Sequence, residues 1–324
     1  MNLHHAISTF LLAALLIASP GAQSQSWPDK PVKLVLSQPA GSGTDNVARI
    51  ISEQLSRTWG QPVIVDNKPG GQNMIGATAV ARAPADGYTF YFATVAALTT
   101  NPLLFKNLSY DPQKDFSPVA VVARSSFGFL VESNSSIKSL DDLIAMAKSQ
   151  PGKITIGIDG PRTFAGMIAR LFNARTGIKA NLVSYSSVVV GLQDLMGKHI
   201  DAIVTDMPAA AQFVKQGRMR LLATSGSKRV PGWEQVPAMS ETIPGFDMVG
   251  WFAIVAPTGT PAVAINRFNR DIGTVLADKE VIERIAAIGP ITEPPVSVEN
   301  TAAFLRNETI RWTSVTREIG ILAE

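Results

Sequence analysis

Leu34-Val35-Leu36-Ser37-Gln38-Pro39-Ala40-Gly41-Ser42-Gly43-Thr44-Asp45 decides the fold. A short apolar strand, residues 32–36, runs into a turn of small residues, and the pattern beyond it predicts a helix from about 46 to 59, stopped at Gly60. Such a turn aims unpaired backbone N–H groups at one point, with the positive end of the helix dipole behind them. A carboxylate or phosphate would be held there without a cationic side chain. Gly and Ser would equally serve the tight strand-to-helix turn that any α/β protein needs, and the stretch alone does not separate the two. Asp45 reads as a cap of the helix in preference to a ligand contact.

Working outward, Pro62-Val63-Ile64-Val65-Asp66 predicts a second strand, residues 74–83 an Ala-rich helix, and 88–93 a third strand. Strand, helix and strand alternating at this spacing mean a parallel, doubly wound sheet. After a looser region, 119–123 and 127–131 read as two buried strands. An amphipathic helix at 139–150, capped by Ser139 with Asp142 three residues on, stops at Pro151-Gly152. The opening pattern then recurs. Strand 154–158 enters the turn Asp159-Gly160-Pro161-Arg162-Thr163, and helix 164–176, strand 180–183, helix 188–198 and strand 202–204 complete a second βαβαβ unit. Residues 221–224 and 246–256 read as further strands, and 261–277, 279–288 and 297–319 as helices. Ligands of open α/β sheets sit at the carboxyl ends of the strands, so two such turns facing each other would form an interdomain cleft.

A chain of 324 residues can bury two cores, and 46% hydrophobic with 17% charged residues is an ordinary globular balance. The net charge is +3, with Lys and Arg scattered and no basic stripe, which argues against nucleic-acid binding. Residues 1–26 read as a secretory signal. The apolar run 10–18 is too short to span a bilayer, Pro20 and Gly21 break it, and Ala22-Gln23-Ser24 offers small residues for cleavage near Ser24. The n-region lacks Lys and Arg, which is atypical. The chain has no cysteine, so disulfides, thiolate metal sites, a Cys nucleophile and a lipid-modified N-terminal Cys are excluded.

Catalytic motifs are scarce. Gly41-x-Gly43 lacks the third glycine of a dinucleotide fingerprint, Asn46 standing in its place, and no Gly-Lys-Ser/Thr follows a glycine-rich loop. Beyond the signal the one histidine is His199, in a polar turn and without a Gly-x-Ser-x-Gly elbow to serve. A zinc site would need mostly carboxylates. Neither cofactor nor metal is expected. What stands out is uncharged donors at the ends of predicted strands: Ser37, Ser42, Thr44, Thr94, Thr163, Ser186, Ser187 and Thr205. Each could hold a carboxylate through a hydrogen bond worth about 0.5–1.5 kcal/mol net, or merely cap its loop. Arg162 differs, being a cation in the second turn that could pair bidentately with a carboxylate.

Many short motifs in order make the chain recognisable. Trp27-Pro28-x-Lys30-Pro31, Gly41 to Asp45 with Arg49, Val65-Asp66-Asn67-Lys68-Pro69-Gly70, Ile75-Gly76, Asp86-Gly87-Tyr88-Thr89, Asn101-Pro102, Pro151-Gly152-Lys153 and Tyr185 come first. Asp194-Leu195-Met196-Gly197, Gly217-x-Met219-Arg220-x-Leu222-Ala223, Val236-Pro237 and Ala256-Pro257-x-Gly259-Thr260-Pro261 follow. From Trp27 to the last helix the chain resembles the periplasmic substrate-binding receptors of tripartite tricarboxylate transporters, often called the Bug family. The resemblance implies an α/β, two-domain periplasmic-binding-protein (Venus-flytrap, type II) fold with two crossover strands. Domain 1 would be 27–125 with 248–324, and domain 2 would be 126–247. It implies a periplasmic, monomeric receptor that captures a small di- or tricarboxylate for integral-membrane permease subunits. A receptor serving a sensor kinase would use the same cleft. A secreted hydrolase or lyase on this frame would lack a base and a nucleophile. In the family the ligand is held by loops that map here to 37–45, 94–97, 159–163, 185–187 and 205–206. The resulting candidates are Ser37, Gly41, Ser42, Gly43, Thr44, Asp45, Thr94, Ala96, Arg162, Thr163, Tyr185, Ser186, Ser187 and Asp206.

The sequence departs from the family pattern inside these loops. Ser42 replaces the usual second glycine of the first turn. Arg162 and Gly166 stand where a second glycine and a histidine are usual, and Ser186-Ser187 followed by Val188-Val189-Val190 replaces a Lys-Gly. These changes suggest a cleft retuned toward an apolar ligand body, such as an aromatic dicarboxylate of the terephthalate type, with Arg162 on one carboxylate and the first turn on the other.

Overall fold

A computed structural model describes residues 27–323, so the expected signal at 1–26 lies outside the described residues. The first lobe grows from β1 (Val32–Leu36), whose Val32, Leu34 and Leu36 are fully buried. Strand alternation puts these three on one face, against Ile51 and Leu55 of α1 (Gly43–Trp59) and Phe268 of α9 (Ala262–Ala277). The helix begins three residues before the predicted start. Its cap is Ser42, whose hydroxyl accepts the Asp45 N–H, and Asp45 is the third residue of the helix. β2 (Val63–Asn67) and β3 (Thr89–Thr94) flank β1 in parallel, with α2 (Met74–Ala81) between them in the chain. Trp27 pins the start of the described chain. Its indole N–H donates to the Gly87 carbonyl at 2.9 Å and its ring packs on Trp59, Phe90 and Phe268.

The sheet is mixed and not purely parallel. Its order is β2, β1, β3, β9 (Val249–Pro257), β4 (Phe116–Glu132), β7 (Ala202–Asp206), β5 (Thr155–Ile158) and β6 (Asn181–Ser184), with β8 (Met219–Thr224) and β10 (Ile291–Thr292) also on β4. The predicted pair of strands at 119–123 and 127–131 is one strand, β4 (Phe116–Glu132). Up to Ser126 it runs antiparallel to β9 (Val249–Pro257), and from Phe127 onward it pairs with β7 (Ala202–Asp206) and β8 (Met219–Thr224). The chain therefore passes from one half of the sheet to the other along β4. It returns through Ser225, whose N–H donates to the Phe127 carbonyl and whose own carbonyl accepts the Met248 N–H.

The second lobe repeats the first. α3 (Asn101–Leu104) precedes β4 in the first lobe, and beyond β4 the helix α4 (Leu140–Ser149) leads to β5 (Thr155–Ile158), α5 (Phe164–Thr176), β6 (Asn181–Ser184) and α6 (Val188–Met196). β5 is parallel to both β6 and β7. Helix α7 (Met207–Lys215), which the sequence reading leaves unassigned, follows β7 without a turn residue between them. Leu192, Ile203 and Met207 join in one core on its side of the sheet, while Phe129, Ile168 and Phe172 fill the other. After α8 (Met239–Thr242), α10 (Lys279–Ala287) and β10 (Ile291–Thr292), α11 (Val298–Glu318) closes the chain. It touches both lobes. Glu308 accepts the indole N–H of Trp251 at 2.7 Å, and Glu318 pairs with Arg175 of α5 at 2.9 Å.

Candidate functional site

The two lobes enclose a cleft of about 560 Å³. Both small-residue turns reach it, through Thr44 on one side and Asp159, Arg162 and Thr163 on the other. Helices α1, α5, α6 and α7 are among those that begin at its walls. Thr44 is in the first turn of α1, and Thr163, Ser187 and Asp206 are the N-cap residues of α5, α6 and α7. Each terminus points the positive end of a helix at the cleft. At α1 the Asp45 N–H is taken by Ser42, while the Gly43 and Thr44 amides have no partner within the helix, and of these two residues Thr44 lines the cleft. An anion is well served here.

Of the residues expected at the site, Thr44, Thr94, Ala96, Arg162, Thr163, Ser186, Ser187 and Asp206 line the cleft. The others stand behind it. The Ser37 hydroxyl bonds the Tyr91 hydroxyl at 2.7 Å and the Asn73 carbonyl at 3.0 Å, so it positions the Asn73 wall. Gly41 adopts φ +82°, and its N–H donates to Asp45 Oδ2 at 2.8 Å, which removes that amide from the anion cradle. Asp45 is buried. Burial pulls its carboxyl upward, but the Arg49 guanidinium, the Asn67 amide and the Gly41 N–H outweigh that and hold it below the usual carboxylate value. Asp45 is thus the rivet of the first turn. Gly43 permits contact between the lobes: a Cβ there would lie 2.7 Å from the Pro208 Cβ at the start of α7. The Tyr185 hydroxyl donates to Asp194 at 2.8 Å and its ring abuts Gly191, so it braces α6 from behind.

Arg162 is at the cleft wall, but its Nη1 donates to the main-chain carbonyls of Leu104 at 3.2 Å and Leu322 at 2.9 Å. The guanidinium therefore ties the second turn to α3 and to the end of the chain. His199 is exposed in its turn and is not among the residues of the cleft wall.

The sequence reading misses part of the lining. Gln72, Asn73, Thr100 and Asn101 come from the irregular stretches after β2 and β3, where no periodic pattern marks them. The Asn101 amide donates to the Gln72 carbonyl at 2.8 Å, so these two stretches hold each other. Phe127, Phe164, Trp251 and Phe252 supply an aromatic wall, three of them from the crossing strands β4 and β9. In the sequence they look like ordinary core. Asn101-Pro102 and the aromatic start of β9 were the available signals.

Two carboxyls face the cleft, Asp159 and Asp206. Burial pushes Asp206 up to about 6; the Thr205 hydroxyl opposes this and the neighbouring Asp159 charge adds to it. Burial also raises Asp159, against the hydroxyl of Thr163, which donates to Asp159 Oδ1 at 2.5 Å.

Residues 47–321 match the family model described as tripartite tricarboxylate transporter family receptor. Protein BugT of Bordetella pertussis is 32% identical over 319 residues, covering 97% of this chain and 97% of that one. Among solved structures, R. palustris Rpa4515 with adipate superposes with a TM-score of 0.85 at 30% identity, over 92% of this chain and all of that one. MatC from Rhodopseudomonas palustris with bound malate gives a TM-score of 0.78 at 26% identity, over 89% of this chain and 99% of that one. With its sheet crossed twice and its cleft at the strand ends, this chain belongs to the tripartite tricarboxylate transporter receptor family.

Proposed function

We propose that the protein is a periplasmic receptor that closes on a small carboxylate with an apolar body and delivers it to the membrane subunits of a tripartite transporter. The observation that carries this reading is the first turn of α1, where Thr44 lines the cleft at the positive end of the helix. One ligand carboxylate is assigned to that turn. The aromatic wall of Phe127, Phe164, Trp251 and Phe252 takes the apolar body, aliphatic or aromatic. Adipate and malate in the two structural neighbours support a carboxylate of this size. On this reading residues 27–125 with 248–324 form one closing domain and 126–247 the other, and the signal is removed near Ser24. Among the described residues no helix is long and apolar enough to cross a membrane.

A thermal-shift screen of mono-, di- and tricarboxylates, aliphatic and aromatic, tests the proposal. A ligand that touches both lobes stabilises the closed state alone, so saturation should raise the melting temperature by several degrees. A panel in which no carboxylate shifts the melt, or in which a ligand is chemically converted, would remove the receptor reading.

A further inference from the structure

The chemistry of the cleft is lopsided. Three charged side chains line it, and two of them are the carboxyls of Asp159 and Asp206. The third, Arg162, has its Nη1 on main-chain carbonyls. Among the described residues neither carboxyl is ion-paired; each takes a threonine hydroxyl, Thr163 on Asp159 and Thr205 on Asp206 at 3.3 Å. A dicarboxylate lying across this cleft would bring its second negative charge toward two others. Other polar groups of the cleft are also unmet. The Ser125 hydroxyl, on a residue only 4% exposed, has no hydrogen-bond partner although it lines the cleft. The same holds for the Thr94 hydroxyl and for Oε1 of Gln38, whose amide nitrogen is already spent on Asn73 at 2.5 Å. A buried polar oxygen without a partner is costly and marks a place where a ligand completes the bonding, the two hydroxyls by donating or accepting and the amide oxygen by accepting.

We propose that the ligand is a small carboxylate that also carries a protonated nitrogen, held by Asp159 and Asp206 while its carboxylate sits on the first turn of α1. The inference rests on the carboxylate-receptor reading and changes only the far end of the ligand. The anion end meets the first turn of α1, and the cation end meets the two carboxyls on the wall of the second lobe. Burial of Asp206 is then relieved by the ligand itself, since a cation restores the ionised form that desolvation disfavours.

Matched pairs of probes test it by calorimetry on the full mature chain. 6-Aminohexanoate is set against adipate, and 4-(aminomethyl)benzoate against terephthalate, so that body and length stay constant while one carboxylate becomes an ammonium. The amine is expected to bind at least tenfold more tightly than its twin in one pair or both. Asp159→Asn should weaken the amine at least tenfold and leave or improve the dicarboxylate, with Asp206→Asn acting in the same sense. The preference should also shrink from pH 7.5 to 5, as Asp206, which burial pushes up to about 6, takes up a proton beside the Asp159 carboxyl and the Arg162 guanidinium. Dicarboxylates that bind as well as the amines in both pairs overturn the inference and leave the carboxylate receptor standing. So does a dicarboxylate whose affinity rises as pH falls and is lost in D206N, which would make Asp206 a proton donor. If none of the four probes binds and the carboxylate panel is silent as well, both readings fall together.

Discussion

Asp45 and Asp206 are both acids near the start of a helix, and their surroundings send them opposite ways. Asp45 gains Arg49, Asn67 and an N–H, whereas Asp206 meets burial and a second carboxyl. Because Asp206 titrates near 6 in the folded protein against an ordinary 3.8, the native state keeps a proton that the unfolded chain releases between those values. The stability tied to that proton is full below the ordinary value and is lost as pH climbs through the folded one. Asp206→Asn should therefore stabilise the ligand-free protein at pH 7.5 by about 1–3 kcal/mol and give no gain near pH 4, as read from melting curves at both pH values. Residue types at the strand ends were legible in the sequence. Their partners were not: Gly41 looked like an anion-binding amide, yet its N–H is spent on Asp45, an arrangement that only the folded turn reveals.

At the scale of elements, the local signals worked where cap and periodicity agreed. Ser139 with Asp142 forms the capping box that starts α4, and Thr163 caps α5 where the pattern begins. They failed where pairing partners decide. Ser125 and Ser126 look like a break between two strands, but β9 runs beside them and makes β4 continuous. Helix α7 escaped because Asp206-Met207-Pro208 passes from strand to helix with no Gly or Asn to mark the change. The join between the second turn and α5 is tight: a Cβ at Gly166 would overlap the Gly160 carbonyl oxygen and come within 3.0 Å of Pro161. Gly166→Ala should move that turn, cost about 1–3 kcal/mol in denaturant melts and weaken ligand binding, because Asp159 and Thr163 move with it. Unchanged affinity in calorimetry would separate the turn from the site.

The molecule as a whole is two lobes in contact, strapped by α11 and touching at Gly43 and Pro208. Closure of such a body is driven by a ligand that bonds both halves. Gly43→Leu places a side chain where only a hydrogen fits, with Cβ 2.7 Å from the Pro208 Cβ. The variant is expected to keep its ligand-free melting temperature within a few degrees, lose ligand affinity more than tenfold, and show no ligand-induced contraction in small-angle scattering. Full affinity would mean that the lobes bind without meeting there.

The sequence by itself determined the α/β class, the repeated strand–turn–helix units and the family, because each is written in local periodicity, caps and short ordered motifs. Tertiary structure decided which amides remain open, which lobe carries the acids, and that the aromatic wall comes from the two crossing strands. The physical reason is that a hydrogen-bond donor or a carboxyl acquires its role from its partners, and here those partners lie across a sheet or across a cleft. Asp159 and Asp206 are 47 residues apart in the chain, yet they share one wall.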